Sequence, residues 1–328
     1  MLSRVADGLF WISRYIERAE NLARIADVYL QAELDRAAGR KVDWSAILQA
    51  SGASDVFESS GLKPGASSVT SFLTISDENP NSIFACLNRA RENARMIRDQ
   101  ITTEMWEELN RAWLELSGSA GKALWRKAHS EYYRELRRAS HLFRGTTAST
   151  LPRGDARDFL NLGMYLERAD ATSRILEAQS LQKDQGDVEE RWAVLLRSCS
   201  ARETYRADHH GPLEASGVLG YLIHDVKFPR SLHDGLMQVG EIASRLAKPS
   251  DQVEVEALVL TIRARLTKAP LSEGTGPALA QFLDLWQKEL HRLADWMTDR
   301  IIGGKLELPE VSAWHSQQEQ QQQMSERF

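Results

Sequence analysis

Cysteine is scarce: Cys86 and Cys199 are the two in 328 residues. That is too few for a disulfide framework. Both lie in helical text, so they read as small buried apolar residues in a reducing compartment. No stretch approaches the roughly 18 apolar residues of a membrane span. The opening MLSRVADGLFW has no charged segment followed by a long apolar run, so no secretory leader is expected. Positive charge is not in surplus: 41 Lys and Arg stand against 46 Asp and Glu, a net charge of −5. A nucleic-acid footprint is therefore not expected. The expectation is a cytoplasmic protein that neither crosses a membrane nor binds nucleic acid.

Catalytic signatures are equally thin. There is no HExxH, no GxSxG elbow and no Cys–His signature. GSAGKAL (118–124) has two residues between its glycines instead of four, and Ala123 stands where a phosphate loop needs Ser or Thr. Helix capping explains it better. Adjacent His209 and His210 lack any further ligand spacing and read as loop residues, and His224 beside Asp225 is no stronger. Neither metal nor cofactor is expected. Strand text is rare as well; SSVTSFLTI (67–75) is β-branched, but a helix is expected there.

Helical periodicity fills what remains, and a hydrophobic content of 42% is ample for a large core. Leu9, Ile12, Ile16, Ala19, Ala23, Ala26 and Leu30 step by three and four, on one helix face. Phe159, Leu162, Leu166, Ala169, Ser173, Leu176 and Ser180 repeat those steps at an offset of 150. The small residues in both sets point to close helix–helix approach. ILQASGASDVFESSG (47–61) aligns with LLRSCSARETYRADHHG (195–211), and FLTISDENPNSI (72–83) with YLIHDVKFPRSL (221–232). In the second alignment Pro80 meets Pro229, Ser82 meets Ser231 and Ile83 meets Leu232. Blocks in one order at a near-constant offset predict a tandem duplication.

The expected fold is an all-α helical bundle built from two tandem pseudo-repeats: 1–150, and 151–310 packed on the first as one unit. A Gln-rich tail follows over 311–328, with Trp314 and Phe328 flanking polar text suited to contact. In the first repeat, Asn79 as cap and Pro80 at the first helical position open one long helix closed by Ser117-Gly118. A further helix covers about 121–144. In the second repeat, helices are expected near 155–182, 188–208, 212–223, 229–247, 251–267 and 275–302. Trp106, Trp113 and Trp125 read as core anchors.

The two long helical texts each carry a Glu-Arg pair, in RYIERAENLARI (14–25) and MYLERADATSRI (164–175). At about 100° per residue, Arg14, Glu17, Arg18, Asn21 and Arg24 fall opposite the apolar stripe. Phe10, Trp11, Val28 and Tyr29 share that half, so the helix is expected to be covered on both sides. Charges in that setting need partners. Glu20 with Arg24, and Asp170 with Arg174, can pair locally at i,i+4. Glu17 and Glu167 are left for a neighbouring helix or for an Arg of the other half. They are either buried braces or part of one polar cavity lined by Arg14, Glu17, Arg18, Asn21, Arg24, Glu167, Arg168 and Arg174. Such a cavity suits carboxylate or phosphate groups. Met164 replaces Arg14 and Ala171 replaces Asn21 in the second copy, so the first is the better ligand candidate. Glu92, Asn93 and Arg95, beside Asn88, Arg91, Arg98 and Asp99, are secondary candidates: a solvated face of i,i+4 pairs, or a wall facing Glu17 and Arg18.

At these residues the sequence resembles the bacterial alpha-E proteins. RYIERAENLARI, NPNSIFACLNRARENARMIRDQITTEMWEELN, FLNLGMYLERAD and FPRSL carry the resemblance, to about residue 305; DVKFPRSL and HLFRGTTAST fit loosely. It implies an all-helical protein whose family-defining motif falls on Glu17, Arg18, Glu167 and Arg168. It also implies a gene set with a circularly permuted ATP-grasp ligase, encoded beside the helical protein or fused to it. A transglutaminase-like protein is often nearby and a proteasome-like peptidase sometimes, and such sets look like machinery for making or modifying peptides. The expected function is a helical partner of that ligase, binding the ligase, its peptide substrate, or both. The alternatives are a stand-alone enzyme acting on a peptide carboxylate or acyl phosphate with Glu17 as general base, and a purely structural scaffold.

Overall fold

The computed structural model describes residues 1–35, 42–181, 188–272 and 276–303. Two long helices form its axis: α1 (Ser3–Asp35) and, much later in the chain, a second that begins at Asp155. Between them come α2 (Trp44–Ala50), α3 (Ser54–Ser59), α4 (Ala66–Thr74), α5 (Ile83–Met96), α6 (Thr103–Ser117), α7 (Ser119–Lys127) and α8 (His129–Thr150). The second long helix is α9 (Asp155–Ser180). It is followed by α10 (Val188–Ser198), α11 (Arg202–Asp208), α12 (Ala215–His224), α13 (Leu232–Leu246), α14 (Gln252–Leu266) and α15 (Pro277–Met297), which ends in a π turn. The described residues contain no strand, so the protein is all-α. The expected tail lies outside the described residues, with Trp314 and Phe328 in it.

α1 is buried on both sides. Leu9, Ile12, Ala23 and Ala26 on the stripe are within 0% of full burial, and Phe10, Trp11 and Val28 opposite are no more than 9% exposed. The reason is its company: α5 and α8 cover one side, and α9 with α2 and α10 the other. α9 has matching neighbours in α13 and α15. α2 packs on α9 while α10 packs on α1, so each long helix is touched by a short helix from the other side of the chain. The buried apolar residues join into one cluster running from Val5 to Ile302.

Close approach fixes this geometry. A Cβ on Gly163 of α9 would stand 2.2 Å from the carbonyl oxygen of Phe10 in α1. Only a bare Cα lets the two axes come so near. One on Gly235 of α13 would stand 2.9 Å from Cβ of Ala169, which is where the small residues of α9 are used.

The loops end helices by recognisable chemistry. Gly52, at φ +66°, closes α2 with Ala53 N–H donating to Leu48 O and Gly52 N–H to Gln49 O. Ser200, at φ +54°, closes α10 with the same two bonds, Ala201 N–H to Leu196 O and Ser200 N–H to Arg197 O. Both are Schellman caps. Ser82 and Ser231 open α5 and α13, each hydroxyl accepting from the backbone N–H three residues on.

Several expected boundaries are corrected. The single helix from Pro80 divides into α5 and α6, with a short 3-10 turn at Arg98–Gln100. The division lets Ile97 and Ile101 both bury, and Thr102 caps α6 by accepting from Met105 N–H. Ser82, not Asn79, is the cap of α5; Asn79 instead braces the turn, donating to Phe72 O and accepting from Asn81 N–H. The expected helix at 121–144 is two, α7 and α8, and that at 188–208 is divided at Ser200. GSAGKAL is a capping segment, with Gly118 between α6 and α7. Trp125 is a core anchor at 4% exposure, whereas Trp106 is half-buried beneath the guanidinium groups of Arg91 and Arg98.

Candidate functional site

Where α1 crosses α9, the two Glu-Arg pairs bind each other. Arg168 donates from Nε to Oε1 of Glu17 at 3.1 Å and from Nη2 to Oε2 at 3.2 Å. Arg18 donates from Nε to Oε1 of Glu167 at 2.6 Å and from Nη2 to Oε2 at 3.0 Å. Both are fork-to-carboxylate pairs, the geometry in which Arg is strongest. Arg14 adds a third bond to Glu167, Nε to Oε2 at 2.8 Å.

Residues not expected from sequence complete the cluster. Arg144, on α8, pairs with Glu17 and also donates to Ser140 Oγ. Arg230, one residue before the cap of α13, donates to Asn21 Oδ1 at 2.6 Å and to Glu20 Oε2 at 2.7 Å, and lies 3.3 Å from Glu17 Oε1. Asn81, one residue before the cap of α5, accepts from Arg18 Nη1 at 2.8 Å. The local pairs form as well: Arg24 with Glu20, and Arg174 with Asp170 at 2.8 Å. His141 stands 3.7 Å from Glu20 and His291 3.2 Å from Asp170. The FPRSL and HLFRG segments that supply Arg230 and Arg144 were visible in sequence, but nothing there gave the direction of either side chain. Glu92, Asn93 and Arg95 do not join this cluster. Glu92 instead pairs with Arg91 and Arg95 on a solvated face of α5, and Arg91 reaches Asn110.

Burial raises the carboxyl pKa of Glu17, but the guanidinium groups of Arg144, Arg168 and Arg230 outweigh it and hold the value at about 2. Glu20, Glu167 and Asp170 move the same way: burial opposes ionisation, and Arg230, Arg18 and Arg174 respectively outweigh it. All four are carboxylates at neutral pH. Burial pushes the Cys86 and Cys199 thiols up to about 11 and about 12, out of the nucleophilic range. Among the described residues, no group of three or more His, Cys, Asp or Glu is placed to hold a metal. No described helix is long and apolar enough to cross a membrane.

Beside the cluster, between α1, α2 and α9, lies a cavity of ≈ 80 Å³. Its polar wall is Arg18, Asn21, Asn81, Glu167, Asp170 and Arg174. Arg18 and Glu167 therefore sit at a void as well as in a brace, whereas Glu17 and Arg168 do not line it.

A family model described as a predicted alpha-helical domain with a conserved ER motif matches residues 1–301. The chain belongs to the Alpha-E family. Glu17-Arg18 and Glu167-Arg168 are the Glu-Arg pairs that bridge α1 to α9. The chain is also similar to an uncharacterized protein of Mycobacterium bovis, 23% identical over 326 residues, 90% of this chain and 36% of the relative. Two uncharacterized proteins of Mycobacterium tuberculosis show the same identity and coverage. The chain thus spans about a third of the length of these curated relatives. No solved structure matches it.

Proposed function

We propose that this Alpha-E protein is a non-catalytic helical partner of a circularly permuted ATP-grasp amide-bond ligase, engaging the ligase and its peptide substrate. The observation that carries the reading is the mutual saturation of the doubled motif. Glu17 and Glu167 are buried, ionised and bound by arginines from elsewhere in the chain. Groups so held fix an arrangement of helices. A general base near neutrality needs a pKa near neutrality and reach to a substrate proton. Glu17, at about 2 and 0% exposed, has neither, which weighs against the stand-alone enzyme. The brace gives the scaffold reading its content as the means by which a binding surface is held.

Two further observations support partnership. In the mycobacterial relatives most of the polypeptide lies outside the similar part, so there this helical unit is joined to more chain. The resemblance to alpha-E proteins names the ligase as the companion, with a transglutaminase-like protein and a proteasome-like peptidase in the same gene set. The two-repeat organisation belongs to this proposal. The matched Schellman caps at Gly52 and Ser200, the matched caps at Ser82 and Ser231, and the crossed Glu-Arg pairs support it. Co-expression with the neighbouring ligase tests the function. The expected result is co-elution on size exclusion, with phosphate release from ATP rising when this protein and peptide are both present. Separate elution with unchanged phosphate release would overturn the proposal.

A further inference from the structure

The cluster has two unequal flanks. On one, Arg230 precedes the cap of α13 and fills the space against Glu20 and Asn21. On the other, the residue before the cap of α5 is the shorter Asn81, and the cavity opens beside it. Its rim residues Ser51, Gly52, Asn81, Ala171 and Arg174 are only half-buried, so it reaches solvent.

The groups left inside are donors. Glu167 takes three bonds from Arg14 and Arg18, and Asp170 is held by Arg174 and His291. Asn21 is 5% exposed; its Oδ1 is committed to Arg230, and its Nδ2 is buried with no partner. An orphaned buried donor calls for an acceptor. Arg174 spends Nε on Asp170, and a Cβ at Gly52 would stand 3.6 Å from its Nη1, so the guanidinium borders the cavity where the turn has no side chain. The charged lining is balanced, Arg18 and Arg174 against Glu167 and Asp170, but both carboxylates are already bound by guanidinium groups, which leaves Asn21 Nδ2 as the orphaned group of the wall. The remaining wall is aliphatic: Leu22, Ile25, Ala50 and Ala171.

We propose that this cavity binds a small aliphatic carboxylate: the α-carboxylate of an amino acid or peptide ending in a short branched side chain. The carboxylate lies against Arg174 and Asn21 Nδ2, and the side chain lies on Leu22, Ile25 and Ala171. The space is smaller than the roughly 150 Å³ that admits benzene, which limits the buried part to a carboxylate and a few carbons. The proposal deepens the partner reading by naming what is presented to the ligase, and it rests on that reading for its purpose.

Calorimetric titration of the full chain alone tests it. The probes are N-acetylvaline, valine, N-acetylvaline amide, isobutylamine and inorganic phosphate. Binding of N-acetylvaline or valine, with none of the amide, is expected; the tighter of the two identifies a peptide end or a free amino acid as the source. Arg174→Gln is expected to weaken binding about tenfold or more, the cost of a charged hydrogen bond. Ala171→Leu fills the cavity without touching the ion pairs and is expected to abolish binding in a protein that melts normally. Equal binding of the amide, preference for phosphate or the amine, or undiminished binding by Ala171→Leu would overturn it. So would no binding at all, and if the ligase complex still formed, the partner reading would survive that loss.

Discussion

Glu17 and Arg168 meet across the crossing of α1 and α9 as a two-bond pair, at 3.1 Å and 3.2 Å, 151 residues apart in the chain. Their chain neighbours Arg18 and Glu167 make the reverse pair. Removing either carboxylate takes the anionic partner from more than one guanidinium. Glu167→Ala takes it from Arg14 and Arg18, and Glu17→Ala from Arg144 and Arg168, while Arg230 keeps Glu20. Each substitution is expected to cost about 3–5 kcal/mol. Thermal and urea melts measure this, and a loss below about 1 kcal/mol in both, the level of a surface pair, would remove the brace.

Gly163 provides a test that leaves every charge in place. Gly163→Ala puts a methyl into the carbonyl of Phe10 and close to Cγ of Arg14. Backbone cannot move aside as a side-chain tip can. The expected cost is about 1–3 kcal/mol, against the gain of about 1 kcal/mol that a glycine-to-alanine change normally brings in a helix interior. A stabilised Gly163→Ala would show that the helices are farther apart.

Much of the helical layout was legible because burial on one face writes a period of 3.6 into the text, as at Leu9 to Ala26. The local pairs Glu20–Arg24 and Asp170–Arg174 followed from spacing alone. The long-range need of Glu17 and Glu167 followed from charges placed among Phe10, Trp11 and Val28. The breaks at Ile97–Thr102 and Ser200 were not legible. They depend on which isoleucines find a core and on a serine accepting a left-handed backbone. Arg144 and Arg230 were missed because a surface-like Arg is recognised as buried only once its helix or turn is placed. A polar cavity at the motif was one of the two expected alternatives, but its place beside Asn81 was not legible, because it depends on Asn81 falling short of the reach that Arg230 has.

The carboxylates give the protein an acid limit. Glu17 has a folded pKa of about 2 against an ordinary 4.5, so its contribution is complete above 4.5 and is lost as pH falls toward 2. Glu20, Glu167 and Asp170 act in the same direction. Urea midpoints are expected to hold near neutrality and drop steeply between pH 4.5 and 2. A flat acid limb would contradict the ionised cluster.

Asp7 has the opposite sign. Burial pushes its carboxyl up to about 6, against a weaker hydrogen bond with Trp11, and its Oδ1 is buried with no partner. The native state holds this proton more tightly than the unfolded chain. That stabilisation is complete below 3.8 and is lost as pH rises through about 6. Asp7→Asn is expected to raise stability at pH 8 by about 1–3 kcal/mol and leave it little changed at pH 4. Urea melts at both pH values check this.

The central claim is that the two Glu-Arg pairs are one reciprocal brace between α1 and α9, and a double-mutant cycle tests it most directly. Arg18→Met, Glu167→Met and the double variant would be compared with the unsubstituted protein by urea denaturation. The predicted result is that the double variant loses less than the sum of the singles, with a coupling energy of about 1–3 kcal/mol. Losses that add to within about 0.5 kcal/mol would contradict the brace.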